Sequence, residues 1–328
     1  MKTLAVYYPE ILPSPYKNLL RSSLADGIIF KDGNTIPADF DILIEGKPTA
    51  QLLYASTKLK ALVIPYAGVP EDTRSLMLQL PEVKVYNIHH NAQAVAEYTL
   101  ALLLAAVKNI IPMHNALKSG DWTPRYQPSQ YGLLRGGKAL ILGYGAIGRE
   151  VASLLTPFGV TIHAIKQDLD SRDEMDDLAT LHGLADLHAL LPATDFLIVT
   201  LPLTPSTKGL IATAELSLLP ARAFIVNVGR GEVIDQHALY ASLRSRRIAG
   251  AAIDVWYHYP GDEESRIFTY PADEPFGDLD NIIMSPHKAG GLAVAQVESL
   301  RMHFLADLLN HLYQQQEFPP GIDLNKGY

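Results

Sequence analysis

The chain has 328 residues, is 48% hydrophobic and 19% charged, and carries a formal net charge of -8 at neutral pH. That length suffices for two domains with cores of their own, and the acidic balance argues against nucleic-acid binding, where basic surface supplies most of the affinity. The absence of cysteine removes disulfides, thiolate nucleophiles and cysteine-ligated metals; no metal site is expected.

From the N-terminus, short β-rich runs alternate with helical stretches. Strands are expected at Leu4–Tyr8, Gly27–Phe30, Asp41–Ile44, Ala61–Pro65 and Val83–Ile88, an alternation that implies a parallel sheet covered on both faces. The run Leu4–Tyr8 is too short for the apolar region of a signal peptide. A helix over Ala92–Asn109 follows. Its most apolar stretch, Tyr98–Val107, falls short of the roughly 20 residues that span a bilayer, so a buried helix of a cytoplasmic protein is expected, with no membrane partner. Pro112–Gly137 then reads as a connecting arm.

A second α/β pattern opens at Lys138. Strands are expected at Ala139–Leu142, Thr161–Ile165, Phe196–Thr200, Ala223–Val228, Gly250–Asp254 and Ile282–Ser285, six parallel strands suited to a doubly wound sheet. A last helix is expected over Leu292–Gln316. The basic cluster Arg244, Arg246 and Arg247 reads as a solvated helix end.

The strand at Lys138 runs straight into Gly143-Tyr144-Gly145-Ala146-Ile147-Gly148, and a helical pattern follows. This is G-x-G-x-x-G in the context that gives it meaning. The first glycine allows a tight turn, the second lets backbone approach a pyrophosphate, and the third lets helix and sheet pack closely. The helix N-terminus offers free N–H groups and partial positive charge to the phosphates. Dinucleotide binding is therefore expected. After the next strand, a carboxylate would hold the ribose hydroxyls of NAD. Lys166 and Gln167 stand there instead, with Asp168 close behind. A cation at that point pairs with a 2′-phosphate, so NADP is favoured over NAD.

Four blocks together resemble the D-isomer-specific 2-hydroxyacid dehydrogenases. They are the glycine turn Gly143–Gly148, Leu201-Pro202-Leu203-Thr204-Pro205-Ser206-Thr207-Lys208-Gly209-Leu210-Ile211, Asn227-Val228-Gly229-Arg230-Gly231-Glu232-Val233-Ile234-Asp235, and Ser285-Pro286-His287-Lys288-Ala289-Gly290-Gly291. The resemblance covers nearly the whole chain. It implies two doubly wound parallel-sheet domains: a flavodoxin-like substrate domain over residues 1–105, a Rossmann NAD(P)-binding domain over 106–290, and a segment, 291–328, that returns to the first. It further implies an active site in the cleft between the domains, and a homodimer with the arm near Trp122 in the contact.

Reduction of a 2-keto acid needs a cation for the carboxylate and carbonyl, and an acid for the developing alkoxide. Arg230 lies just past a buried strand, and its planar fork suits a keto acid; the resemblance makes it the substrate arginine. His287 titrates near neutrality, and the resemblance makes it the acid/base. The family's D-V-x-x-x-E-P run, whose glutamate bonds that histidine, is here Asp254-Val255-Trp256-Tyr257-His258-Tyr259-Pro260. Tyr259 thus holds the glutamate's place. Its hydroxyl is expected to orient the ring without stabilising imidazolium as a carboxylate does. Asp262, Glu263, Glu264 and Glu274 follow as solvated loop charge, with a substitute partner among them as the alternative. The resemblance also places Leu201, Pro202, Thr207, Val228, Gly229, His287 and Ala289 at the cofactor, Asp254 at the nicotinamide amide, and the backbone of Ala67, Gly68 and Val69 at the substrate carboxylate. Beyond Val69 the match fails, and Arg74 reads as a surface residue.

The function expected is hydride transfer between NAD(P)H and a 2-keto acid, of glyoxylate or hydroxypyruvate type, to give a D-2-hydroxy acid. The alternatives are a cofactor-sensing protein like the corepressors of this fold, and a formate- or phosphite-type dehydrogenase.

Overall fold

The computed structural model of the chain describes residues 2–127, 132–167, 176–291 and 293–325. The chain divides into two compact units. The first takes the residues up to Asn91 together with those from Gly291 onward; the second takes Ala92–Gly290.

The first unit carries a five-stranded parallel sheet of β1 (Leu4–Tyr8), β2 (Ile28–Asp32), β3 (Ile42–Ile44), β4 (Ala61–Ile64) and β5 (Lys84–Asn87), in the order β2-β1-β3-β4-β5. Strands β3 and β4 are buried along their whole length, as expected of a sheet covered on both faces. Their period of two divides the core. Ile42, Ile44, Ala61 and Val63 face Leu20 and the helix Ala295–Gln314, through Met302, Leu305 and Leu309. Leu43, Leu62 and Ile64 face Leu53, Met77 and Val85. The C-terminal segment therefore completes one face of this sheet, and the Ile322 N–H bonds the Val85 carbonyl at 2.8 Å.

The second unit carries β6 (Lys138–Leu142), β7 (Thr161–Ile165), β8 (Thr180–His182), β9 (Phe196–Val199), β10 (Phe224–Asn227), β11 (Gly250–Ile253) and β12 (Ile282–Met284). They form one parallel sheet in the order β12-β11-β10-β9-β6-β7-β8. Strand order reverses between β6 and β9, and ligands of open α/β sheets bind beyond the carboxyl ends at such a switch point. One strand more is present than expected. β8 is three residues long and only partly buried, so it has no apolar run to announce it.

The helix expected over Ala92–Asn109 ends at Val107, and Asn109 takes a left-handed φ of 53°. A second helix, Ile110–Lys118, leaves at a bend of 64°. The arm is thus partly helical, because Pro112 falls in the first turn, where no intrahelical N–H is required. The helix Ala92–Val107 packs on the helix Ala146–Leu155 and on β10 and β11, so the unit boundary lies at 91/92 rather than at 105/106. The last helix begins at Ala295; Leu292, its expected start, lies outside the described residues. Among the described residues no single helix is long and apolar enough to cross a membrane.

Candidate functional site

The glycine turn leaves β6 at the switch point. Gly143 takes a φ of 98°, a conformation that favours glycine. Gly148 begins a close approach: a Cβ there would lie 2.2 Å from the Gly143 carbonyl oxygen. Gly145 is different, because a Cβ there would meet nothing within 4 Å. Open space lies at the start of the ten-residue helix Ala146–Leu155, whose first N–H groups lack intrahelical acceptors. This cradle fits a pyrophosphate. The Thr200 hydroxyl, just beyond β9, donates to the Gly143 carbonyl at 2.6 Å. Gly229, beyond β10, packs so tightly that a Cβ would lie 2.5 Å from the Leu201 carbonyl. Three loops therefore meet backbone to backbone here.

Tyr144 belongs to the cofactor turn through its backbone, for its ring is buried in the core of the second unit. Its hydroxyl donates to Asp176 at 2.9 Å, and the Arg149 guanidinium sits over the ring, 5.5 Å from the centroid. Only its backbone remains for a ligand. Thr207 is likewise a buried loop lock: its hydroxyl donates to the Pro202 carbonyl at 2.7 Å and accepts from Thr204 N–H at 2.8 Å. The Val228 N–H bonds the Val199 carbonyl at 3.1 Å. The Lys166 N–H bonds the His182 carbonyl at 3.0 Å, so β8 supports the end of β7 that carries Lys166 and Gln167. Asp168 lies outside the described residues.

Asn227, overlooked in the sequence, shapes the arginine loop. Its buried amide donates to the Arg230 carbonyl at 3.0 Å and accepts from the Gly229 N–H at 3.1 Å. Arg230 is left extended and exposed, with one N–H on the Gly229 carbonyl at 2.7 Å. His287 lies after β12 with a left-handed φ of 55°. The Tyr259 ring lies beside the imidazole, centroids 5.5 Å apart and tilted by 54°. The guanidinium of Arg230 is near enough to act electrostatically on both rings. Arg230, Tyr259, His287 and Asp254 are therefore gathered in one place.

The geometry differs from expectation at Tyr259 and shows how Asp254 is held. The Tyr259 hydroxyl accepts the Trp256 N–H at 3.0 Å, so it meets His287 ring to ring and not through its oxygen. Asp254 is fully buried, and its carboxylate accepts the Lys288 N–H at 2.8 Å, the Ala289 N–H at 2.9 Å and the Ser285 hydroxyl. It grips the histidine loop. Among the described residues, none of Asp262, Glu263, Glu264 and Glu274 is among the groups that act on His287. Asp262 caps Ser265, Glu263 pairs with Arg266, and Glu274 with His237 at 2.7 Å.

The pKa of His287 is lowered. Solvent reaches the ring, yet the protein packed behind it strips part of its hydration, which is the larger cause. Arg230 adds to the effect and Asp254 opposes it. Tyr259 is shifted upward, chiefly by loss of water, and stays neutral.

In the first unit, Ala67, Gly68 and Val69 form the loop after β4, and Gly68 takes a φ of 83°. Arg74 is structural: it donates to the Leu324 carbonyl at 2.6 Å and pairs with Glu71 at 3.2 Å.

Gly145, open, and Gly148, tightly packed, separate binding from folding. Gly145→Val is expected to melt within a few degrees of the parent while losing nucleotide affinity. Gly148→Val is expected to lose about 1–3 kcal/mol or more of stability through overpacking. Melting curves and cofactor titration by fluorescence check both.

Residues 100–289, more than half of the chain, match the D-isomer specific 2-hydroxyacid dehydrogenase NAD binding domain. The chain belongs to this family. Among curated relatives, the D-3-phosphoglycerate dehydrogenase of Methanocaldococcus jannaschii is 32% identical over 79% of this chain and 47% of its own length. The chain thus spans about half the length of that relative. The glyoxylate reductase of Thermofilum pendens is 27% identical over 97% of this chain and 93% of its own. A D-isomer specific 2-hydroxyacid dehydrogenase from Xanthobacter autotrophicus Py2, solved with NADPH and MES, has a TM-score of 0.78 at 23% identity, covering 100% of both chains. That likeness establishes the D-2-hydroxyacid dehydrogenase fold along the whole of this chain.

Proposed function

We propose that this D-2-hydroxyacid dehydrogenase relative reduces a small 2-keto acid, of glyoxylate or hydroxypyruvate type, to a D-2-hydroxy acid with NADPH. The observation that carries the reading is the gathering of Arg230 and His287 beyond β10 and β12, in the same unit as the open glycine turn. The bound nicotinamide supplies the hydride. Gly143, Gly145 and the N–H groups of Ala146 and Ile147 hold the pyrophosphate, and the loops at Leu201, Pro202, Val228, Gly229 and Ala289 shape the rest of the cofactor's bed. Arg230 holds the carboxylate and polarises the carbonyl, and His287 gives its proton to the alkoxide. A panel of 2-keto acids with NADPH and with NADH, followed by absorbance, tests this. The cofactor-sensing alternative draws on Tyr259, and tight NADPH binding without turnover of any acid would establish it in place of the reductase.

Lys166 favours NADPH by pairing with the 2′-phosphate. Lys166→Ala should weaken NADPH by about 10-fold, the worth of one charge-assisted hydrogen bond, and leave NADH nearly unchanged. Equal losses for both cofactors would remove this role.

Trp122 is 58% exposed and Tyr126 78%, beside exposed Ile110, Ile111 and Leu117. This apolar arm is proposed to pair with a second copy as a homodimer. Sedimentation of the parent and of Trp122→Glu checks it: dimer and monomer are expected in turn.

A further inference from the structure

We propose that Tyr98 and Ser285 are positioning residues for the acid/base histidine, acting through Asp254; the proposal rests on His287 holding that role. Ser285 follows β12 directly, two residues before His287, and every polar group it has is engaged. Its N–H bonds the Ile253 carbonyl at 2.9 Å, and its carbonyl accepts the Trp256 indole N–H at 2.8 Å. Its hydroxyl donates to Asp254 and lies 2.8 Å from the Tyr98 hydroxyl. Since the serine proton is spent on the carboxylate, Tyr98 must be the donor in the second bond. The chain of donation thus runs from Tyr98 to Ser285 to Asp254, and from Asp254 to the loop.

The far end of that chain is the strained segment. Asp254 accepts the N–H groups of Lys288 and Ala289, the two residues after His287, whose own φ is 55°. A non-glycine residue persists in that conformation only where its surroundings over-determine it. Asp254 is also anchored from behind, its N–H on the Asn227 carbonyl at 3.0 Å, so the same residue joins the histidine loop to the arginine loop. A fully buried carboxylate is costly to keep unless its lone pairs are filled. Packing alone would be served as well by an apolar residue. A carboxylate whose acceptors are met by two loop N–H groups and a hydroxyl relay fits a device that aims His287. The groups acting on the imidazole are Arg230, Asp254 and the Tyr259 ring, and of these Asp254 alone favours imidazolium.

The test uses the full chain and the best keto acid from the panel. Tyr98→Phe deletes one oxygen from the relay, and Ser285→Ala deletes the next. Each is expected to lower kcat by about tenfold, the scale of a small misplacement of a reacting group. Each is also expected to move the alkaline limb of the reduction rate to lower pH, with NADPH affinity within twofold of the parent. The double variant should be no worse than Ser285→Ala alone, because both act on one chain. Lower melting temperature with an unmoved pH limb, or additive losses, would overturn the proposal and leave a structural role. His287→Ala run in parallel separates the two levels. If it is inactive while the limb stays put in Tyr98→Phe and Ser285→Ala, the positioning role alone falls. If it keeps full rate, the acid/base assignment falls and the relay with it.

Discussion

His287→Ala is expected to lower kcat for keto-acid reduction by about 10²–10⁴-fold, the usual contribution of a positioned general acid, with NADPH affinity little changed. Stopped-flow and steady-state rates measure the first, and fluorescence titration the second. The residual rate should lose the pH dependence that His287 imposes. In the parent that dependence has a definite sign. Reduction consumes the proton of imidazolium, so the rate falls as pH rises through the pKa of His287. Lost hydration and Arg230 lower that pKa against the opposing effect of Asp254, and among the described residues no carboxylate bonds the ring in the place of the family's glutamate. The alkaline limb is therefore expected earlier than in glutamate-bearing relatives, while oxidation of the hydroxy acid, which needs neutral imidazole, persists to lower pH. Tyr259→Glu should move both limbs upward. A reduction limb that ignores this substitution would show that residue 259 does not tune the acid.

Arg230→Ala is expected to lower kcat/KM by about 10²–10³-fold, in line with loss of one preorganised donor at a developing oxyanion. Its exposed guanidinium spends one N–H on the Gly229 carbonyl and faces solvent with the rest. Arg230→Lys keeps the charge but not the fork, and should recover only a small part of the loss. If lysine restored full activity, two-oxygen recognition of the keto acid would be wrong and a point charge would suffice. Neither variant should disturb folding much, because Asn227 holds the loop through backbone groups that both retain.

Much of the site was legible because its signals are local. The glycine turn and Arg230 each lie within a few residues of the end of a buried strand, and His287 follows the apolar run of the edge strand β12, where period and apolar run are plain. The rest was not legible, for a different reason. Tyr144 sits inside the glycine motif, yet its ring turns to the core because Asp176, 32 residues away, accepts its hydroxyl. The sequence places a Tyr259 oxygen near His287, but the Trp256 N–H takes that oxygen and leaves the ring beside the imidazole. The edge strand β8 carries no apolar run because a sheet edge buries little. The unit boundary was misplaced because the helix Ala92–Val107 is apolar nearly all round, and periodicity does not say which sheet it covers.

The amino-acid order alone determined the two α/β patterns, the glycine turn, the cofactor class and the side chains proposed to react. These follow from strand period, from glycine's conformational freedom and from the chemistry of guanidinium and imidazole. The tertiary structure decided what each polar group is bonded to. Asp254, Ser285 and Tyr98 are joined across 187 residues of sequence, and no local pattern encodes a hydrogen bond between groups that meet only when the sheet and its covering helix are assembled.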